Sequence, residues 1–162
     1  MKDKYFLYVG NAYPHKNVEL LLQAAEAAWV RVVFVGKDDY FYKRLGIKPK
    51  TVTDAELSVL YKNAAALVFP SLMEGFGLPP LEALENNCPA IVSDIPVFHE
   101  ILGNAVTYFD PHSVEDLAQI LKEAAKKRLP VDPDIVKKYS WKKMAEETLS
   151  VYEDSLRVRS GQ

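Results

Sequence analysis

A doubly wound parallel α/β sheet of about six strands, with helices on both faces, is the fold class predicted for residues 1–162. Three observations predict it. Short apolar runs recur at 5–9, 30–35, 66–69, 90–93 and 106–109, the pattern of strands buried on both faces. Helical stretches alternate with them, and a strand–helix–strand unit in one parallel sheet needs a right-handed crossover. No internal repeat, low-complexity tract or linker divides the chain, so one domain is expected.

In order, the run 5–9 stops at Gly10 and a loop leads to Lys16. Asn17 is expected to cap a helix over 18–28, which is rich in Leu and Ala. The run 30–35 is closed by Gly36. Residues 40–45 are expected as a short helix ending at Gly46. The segment 48–53 leaves room for only a very short third strand. Asp54 is expected to cap a helix to about Ala65, with Leu57, Leu60, Tyr61 and Ala64 on one face. The strand 66–69 follows, and Pro79 and Pro80 open a helix that ends near Asn86 and Asn87. The strand 90–93, a short helix from Pro96 to Leu102 and the strand 106–109 complete the sheet. Ser113 caps a helix to about Arg128, Pro130 and Pro133 break it, Asp134 starts a short helix, and Ser140 caps another from Trp141 to about Arg157.

Composition narrows the function. The formal charge is -2 and the pI near 5.9, which argues against nucleic acid as the main partner. Lys122, Lys126, Lys127 and Arg128 cluster where a helix ends, and cations suit that end of the dipole. The single cysteine, Cys88, excludes an internal disulfide and a multi-cysteine zinc site, and is read as a small packed residue. No stretch approaches the ~18 apolar residues of a membrane span, and Met1 to Lys4 lack a signal peptide's apolar character. A cytoplasmic location is expected. His99 and His112 have no partners at metal-ligand spacing, and Asp132-Pro133-Asp134 reads as helix capping. No metal is expected.

The stretch from Phe69 to Ala83 organises the chain. A Gly-containing turn that feeds a helix N-terminus gathers N–H groups and positive dipole, a place for an anion or a polar ring. Glu74 and Glu82 frame it with seven residues between them. Taken alone, Glu82 reads either as a helix-dipole partner or as a ligand group, and Glu74 either as a solvated loop acid or as part of a site. Lys16, directly before a helix, is unfavourable for that helix. It reads either as a solvated lysine or as the partner of a bound phosphate.

The string Glu74-Gly75-Phe76-Gly77-Leu78-Pro79-Pro80-Leu81-Glu82-Ala83 closely resembles the signature of retaining glycosyltransferases of the GT-B fold, the large family numbered four. The loop Gly10 to Asn17 resembles the family's first donor loop, with Lys16 at the place of its lysine. Further landmarks lie at 54–64, 89–93, 99–101, 109–111 and 139–141, so the resemblance covers nearly the whole chain except 29–53. It implies the Rossmann-like C-terminal half of a GT-B enzyme, which binds a nucleoside-diphosphate sugar, GDP- or UDP-linked, as substrate, with no further cofactor. It implies that Glu82 receives ribose hydroxyls and that Glu74 contacts the transferred sugar. It further implies that the N–H groups of Gly75, Phe76, Gly77 and Leu78 meet sugar and phosphate oxygens. Lys16, with Asn11, would hold the diphosphate, and Glu74 and Lys16 would be the catalytic pair. Asn11 and His15 stand where many members carry arginine, which weakens the phosphate clamp. The acceptor would be held by an N-terminal domain or partner chain, and any membrane contact would run through that domain. The alternatives are a nucleotide-sugar-binding module without chemistry and an unrelated dinucleotide binder. The latter lacks a Gly-x-Gly-x-x-Gly after the first strand.

Overall fold

The computed structural model describes residues 4–160, so the reading of residues 1–3 as no leader falls outside it. Five parallel strands form one sheet in the order β2-β1-β3-β4-β5, with β1 Phe6–Val9, β2 Val32–Val35, β3 Ala66–Phe69, β4 Ala90–Ser93 and β5 Thr107–Phe109. β1 pairs β2 from Phe6 opposite Val32 to Val9 opposite Val35, and pairs β3 through Phe6 opposite Ala66. The sixth strand is reduced to one parallel bridge, Val35 to Lys50. Pro49 explains why it extends no further, since proline offers no N–H to a ladder.

Successive residues of a strand point to opposite faces, and this splits the core in two. Phe6 and Tyr8 pack with α1 (Val18–Ala28), α2 (Tyr40–Arg44) and α6 (Val114–Lys126). Leu7, Leu67 and Phe69 pack with α3 (Asp54–Asn63), α4 (Leu78–Glu85) and α5 (Pro96–Leu102). Cys88 is buried in this second core, as expected of a packed residue. The doubly wound expectation is met.

The caps correct the sequence reading at two points. Asn17 adopts a left-handed conformation (φ 54°) and makes no side-chain cap; its Nδ2 donates instead to the carbonyl of Pro111. Asparagine tolerates that region, so the residue type was informative for another reason than capping. α3 is capped by Thr53, not Asp54, through a reciprocal box with Glu56. Ser113 and Asp39 cap α6 and α2 through their side chains. Residues Pro133–Lys138 form a 3-10 segment headed by Asp132, whose Oδ1 accepts from the N–H of Asp134. The last helix, α7 (Trp141–Ser160), exposes Trp141, Met144, Leu149 and Tyr152.

Candidate functional site

The strand order reverses between β1 and β3, and ligands in open α/β sheets bind beyond the strand C-termini at such a switch point. The loops after β1 and β3 meet there. The first is held from below by two buried tyrosines. Tyr8 donates to the carbonyl of Asn11 at 2.5 Å and Tyr42 to that of Gly10 at 2.8 Å. Burial pushes both phenols well above the usual range, with Tyr42 and Glu74 adding to the effect on Tyr8 and Asp39 to that on Tyr42, so both stay neutral donors. Gly36 lets the end of β2 lie against this loop: a Cβ there would stand 2.1 Å from the carbonyl oxygen of Gly10.

Beyond Gly10 the chain makes a 3-10 turn, Pro14–Lys16, that presents Lys16. Its Nζ lies 2.5 Å from Glu74 Oε1 and 5.4 Å from the centroid of Phe69. Both charged side chains are largely buried, at 15% and 12% exposure. The N–H of Leu72 donates to the carbonyl of His15, so backbone as well as side chains joins the two loops.

The second loop ends at Gly77, whose φ of 94° suits glycine alone; a Cβ there would also stand 2.7 Å from Phe98. Gly77 is the N-cap of α4. Pro79 and Pro80 carry no N–H, so the helix contributes fewer donors than an ordinary N-terminus. The loop compensates. Among the described residues, the N–H groups of Gly75, Phe76, Gly77 and Leu78 have no partner. They are four free donors within one short turn.

Glu82 lies one turn into α4. Its Oε2 accepts from Tyr61 of α3 at 3.0 Å, and burial together with Glu82 pushes the Tyr61 phenol up, so that hydroxyl stays a donor. Glu82 thus belongs to a second pair rather than to the Lys16–Glu74 pair. Asn11 uses its Oδ1 to receive the N–H of Tyr13, which shapes its own loop. His15 is half-buried and stands edge-on to Tyr13.

Three residues that shape the site were not read from the sequence as doing so. Tyr61 was assigned to a core face, and its hydroxyl was the available signal. Tyr8 was one residue of an apolar run. Tyr139 packs edge-on against Phe76 at 5.3 Å and donates to the carbonyl of Ile101, so the tail braces the Gly-rich loop. Among the described residues no group of three or more His, Cys, Asp or Glu is gathered to hold a metal ion, and no helix is long and apolar enough to cross a membrane.

Sheet order, switch-point loops and free N–H turn define a Rossmann-like domain of the GT-B type, and solved structures share its fold. Sucrose-phosphate synthase from Thermosynechococcus elongatus superposes with a TM-score of 0.75 over 97% of this chain and 46% of that one, at 21% identity. TarM gives 0.69 over 94% and 36%, at 19% identity. The chain belongs to the family of glycosyl transferases group 1, which matches residues 1–142. It is 38% identical over 135 residues to the O-antigen chain mannosyltransferase RfbU of Salmonella typhimurium, covering 75% of this chain and 38% of that protein. It is 28% identical over 177 residues to the O-antigen chain mannosyltransferase B of Escherichia coli, covering 91% and 45%. The chain therefore spans less than half the length of these relatives.

Proposed function

We propose that this chain is the donor-binding half of a retaining hexosyltransferase that takes a nucleoside-diphosphate sugar, with mannose as the transferred hexose. The observation that carries the reading is the Lys16–Glu74 pair at the switch point, beside four unpartnered N–H groups. One cation and a cluster of donors suit a diphosphate; a carboxylate at the same point suits sugar hydroxyls. The names of the relatives favour mannose.

Each residue has a role in this reading. Lys16, with Asn11 nearby, holds the diphosphate, and Lys16 stabilises the charge that grows as the bond to the anomeric carbon breaks. Glu74 accepts from hydroxyls of the transferred sugar. Gly75, Phe76, Gly77 and Leu78 donate their N–H groups to sugar and phosphate oxygens. Glu82, oriented by Tyr61, accepts from the ribose. The positive charge comes from Lys16 and the helix N-terminus, without a metal or cofactor. The acceptor is held by an N-terminal domain or a partner chain, and the exposed apolar residues of α7 give that body a surface to cover. The work is done on the cytoplasmic side, and membrane contact belongs to that other body.

Saturation-transfer NMR on this chain tests the reading, with GDP-mannose, UDP-glucose, UDP-N-acetylglucosamine, GDP, UDP and NAD. Binding of one nucleotide sugar, lost in Lys16→Ala and Glu82→Ala variants that keep the parent's dispersed spectrum, is expected. Preference for NAD, or binding that both variants retain, would refute it. A second reading, a nucleotide-sugar-binding module without chemistry, is favoured by Asn11 and His15, which supply less charge than two arginines would. Transfer activity with an acceptor domain present separates the two.

A further inference from the structure

A turn whose N–H groups are all free is not held in place by them. Among the described residues, Gly75, Phe76, Gly77 and Leu78 donate to no partner. Glycine stands on both sides of Phe76, and glycine has the most backbone freedom to lose. Packing is what fixes this turn, and two contacts supply it. The first is at Gly77, which lies so close to Phe98 that a Cβ would stand 2.7 Å from the ring. The second is at Phe76, whose ring meets that of Tyr139 with centroids 5.3 Å apart and planes at 89°. Edge-to-face is a favoured arrangement for an aromatic pair. At Gly75 an added Cβ would meet nothing within 4 Å, so that end of the turn is open.

Tyr139 is itself firmly set. Its hydroxyl donates at 3.0 Å to the carbonyl of Ile101, a buried residue of α5. Its N–H closes the 3-10 segment Pro133–Lys138 on the carbonyl of Val136. Val131, Ile135 and Val136 pack with Tyr139 against the second core, and the segment lies along α4. The residues from Val131 to Tyr139 therefore form a strap across the helix that the turn opens, and its last side chain meets the turn. A ligand that binds an ordered turn loses less conformational entropy than one that must order it. Donors fixed in advance also need no reorganisation as charge develops.

We propose that Tyr139 is a positioning residue for the donor. Its ring holds Phe76, and through Phe76 it holds the N–H groups of Gly75 to Leu78 where the oxygens of a sugar nucleotide meet them. Tyr139 acts through Phe76 and not on the substrate. The assignment rests on the donor-binding reading above, and the test keeps the two apart. Relaxation of the 15N-labelled chain without ligand reports on the turn itself. Order parameters of about 0.85 are expected at Gly75 to Leu78 in the parent and in Tyr139→Phe, and below about 0.6 in Tyr139→Leu, which keeps apolar bulk but no ring. Calorimetry with GDP-mannose reads the affinity. Tyr139→Leu is expected to raise the Kd about tenfold, and Tyr139→Phe to stay within about twofold of the parent. Ile120→Ala in α6, which trims the first core across the sheet, controls for lost stability and should move neither reading. A turn already mobile in the parent would overturn the proposal. So would a Tyr139→Leu turn as rigid and as tight-binding as the parent's, a loss that Tyr139→Phe fails to repair, or an equal loss in Ile120→Ala. Failure of GDP-mannose to bind the parent would count against the donor reading alone, and the order parameters would still decide the role of Tyr139.

Discussion

Removing Lys16 should destabilise the fold as well as weaken the site, and the two effects can be separated. The pair with Glu74 is largely buried and 2.5 Å long, and it joins loops whose anchors are 58 residues apart in sequence. Breaking a fully buried pair by deleting one partner costs about 3–5 kcal/mol, because the other charge is left uncompensated. The residual exposure of 15% and 12% lets water reach both heads, which lowers the expected cost to about 2 kcal/mol. Lysine over Phe69 adds about 0.5–1 kcal/mol. Lys16→Met is therefore expected to cost about 2–3 kcal/mol. Glu74→Gln, which keeps a hydrogen-bonding side chain, should cost about 1–2 kcal/mol. The double variant leaves no stranded charge, so it should be no worse than the poorer single one. Urea denaturation of the four proteins gives the coupling, expected at about 1–2 kcal/mol. Additivity within about 0.5 kcal/mol would show that the pair stores no energy, and would refute the view that it locks the loops.

Gly77→Ala must adopt a φ of 94° and place a Cβ 2.7 Å from Phe98, so a loss of about 2–4 kcal/mol is expected, whereas Gly75→Ala meets nothing within 4 Å and should stay within about 0.5 kcal/mol; the reverse order in thermal melts would refute the loop geometry. Tyr61→Phe removes the donor to Glu82, and should cost about 1 kcal/mol of stability in urea melts and raise the nucleotide Kd about fivefold by calorimetry. Burial pushes the Cys88 thiol up from 9.0 to about 11. Between those values the unfolded chain has lost a proton that the folded chain keeps, so stability falls as pH rises, by about 2–3 kcal/mol in all; Cys88→Ala should flatten that decline in melts taken from pH 8 to 11. Glu74→Gln should leave the affinity for bare GDP or UDP unchanged or tighter while weakening the sugar nucleotide by about tenfold, read by calorimetry.

The sheet was legible because its strands are short apolar runs, and such runs need no knowledge of their neighbours. The third strand was legible as a weak one: the segment around Pro49 makes a single bridge at Lys50. Local chemistry at the caps was less so. Asn17 satisfies both a capping preference and a left-handed preference, and only the position of Pro111, far along the chain, decides between them. Thr53 and Asp54 are both good caps, and the reach of Glu56 back to Thr53 selects the earlier one. The loops of the candidate site could be placed because both follow strands and precede helices. Their pairing could not. Lys16 with Glu74, Tyr61 with Glu82 and Tyr139 with Phe76 are each set by the order of strands in the sheet, which no local pattern states.

The pairing of Lys16 with Glu74 bears on how a donor would be recognised. The two groups satisfy one another and hold the loops in place. A diphosphate that approaches Lys16 competes with Glu74 for the same ammonium. Its gain is then the difference between two charge-assisted bonds, and a bare nucleoside diphosphate gains little by it. Displacing Glu74 from Lys16 also leaves its carboxylate without its cation in a largely buried position, which is costly unless other donors arrive. Sugar hydroxyls are such donors. On the proposed reading, a nucleotide that carries its hexose would therefore satisfy both members of the pair, while one that has lost it would satisfy only one. On the proposed reading, the same contact that locks the loops would thus favour the intact donor over the spent nucleotide, a discrimination that follows from placing one cation and one carboxylate at a single switch point.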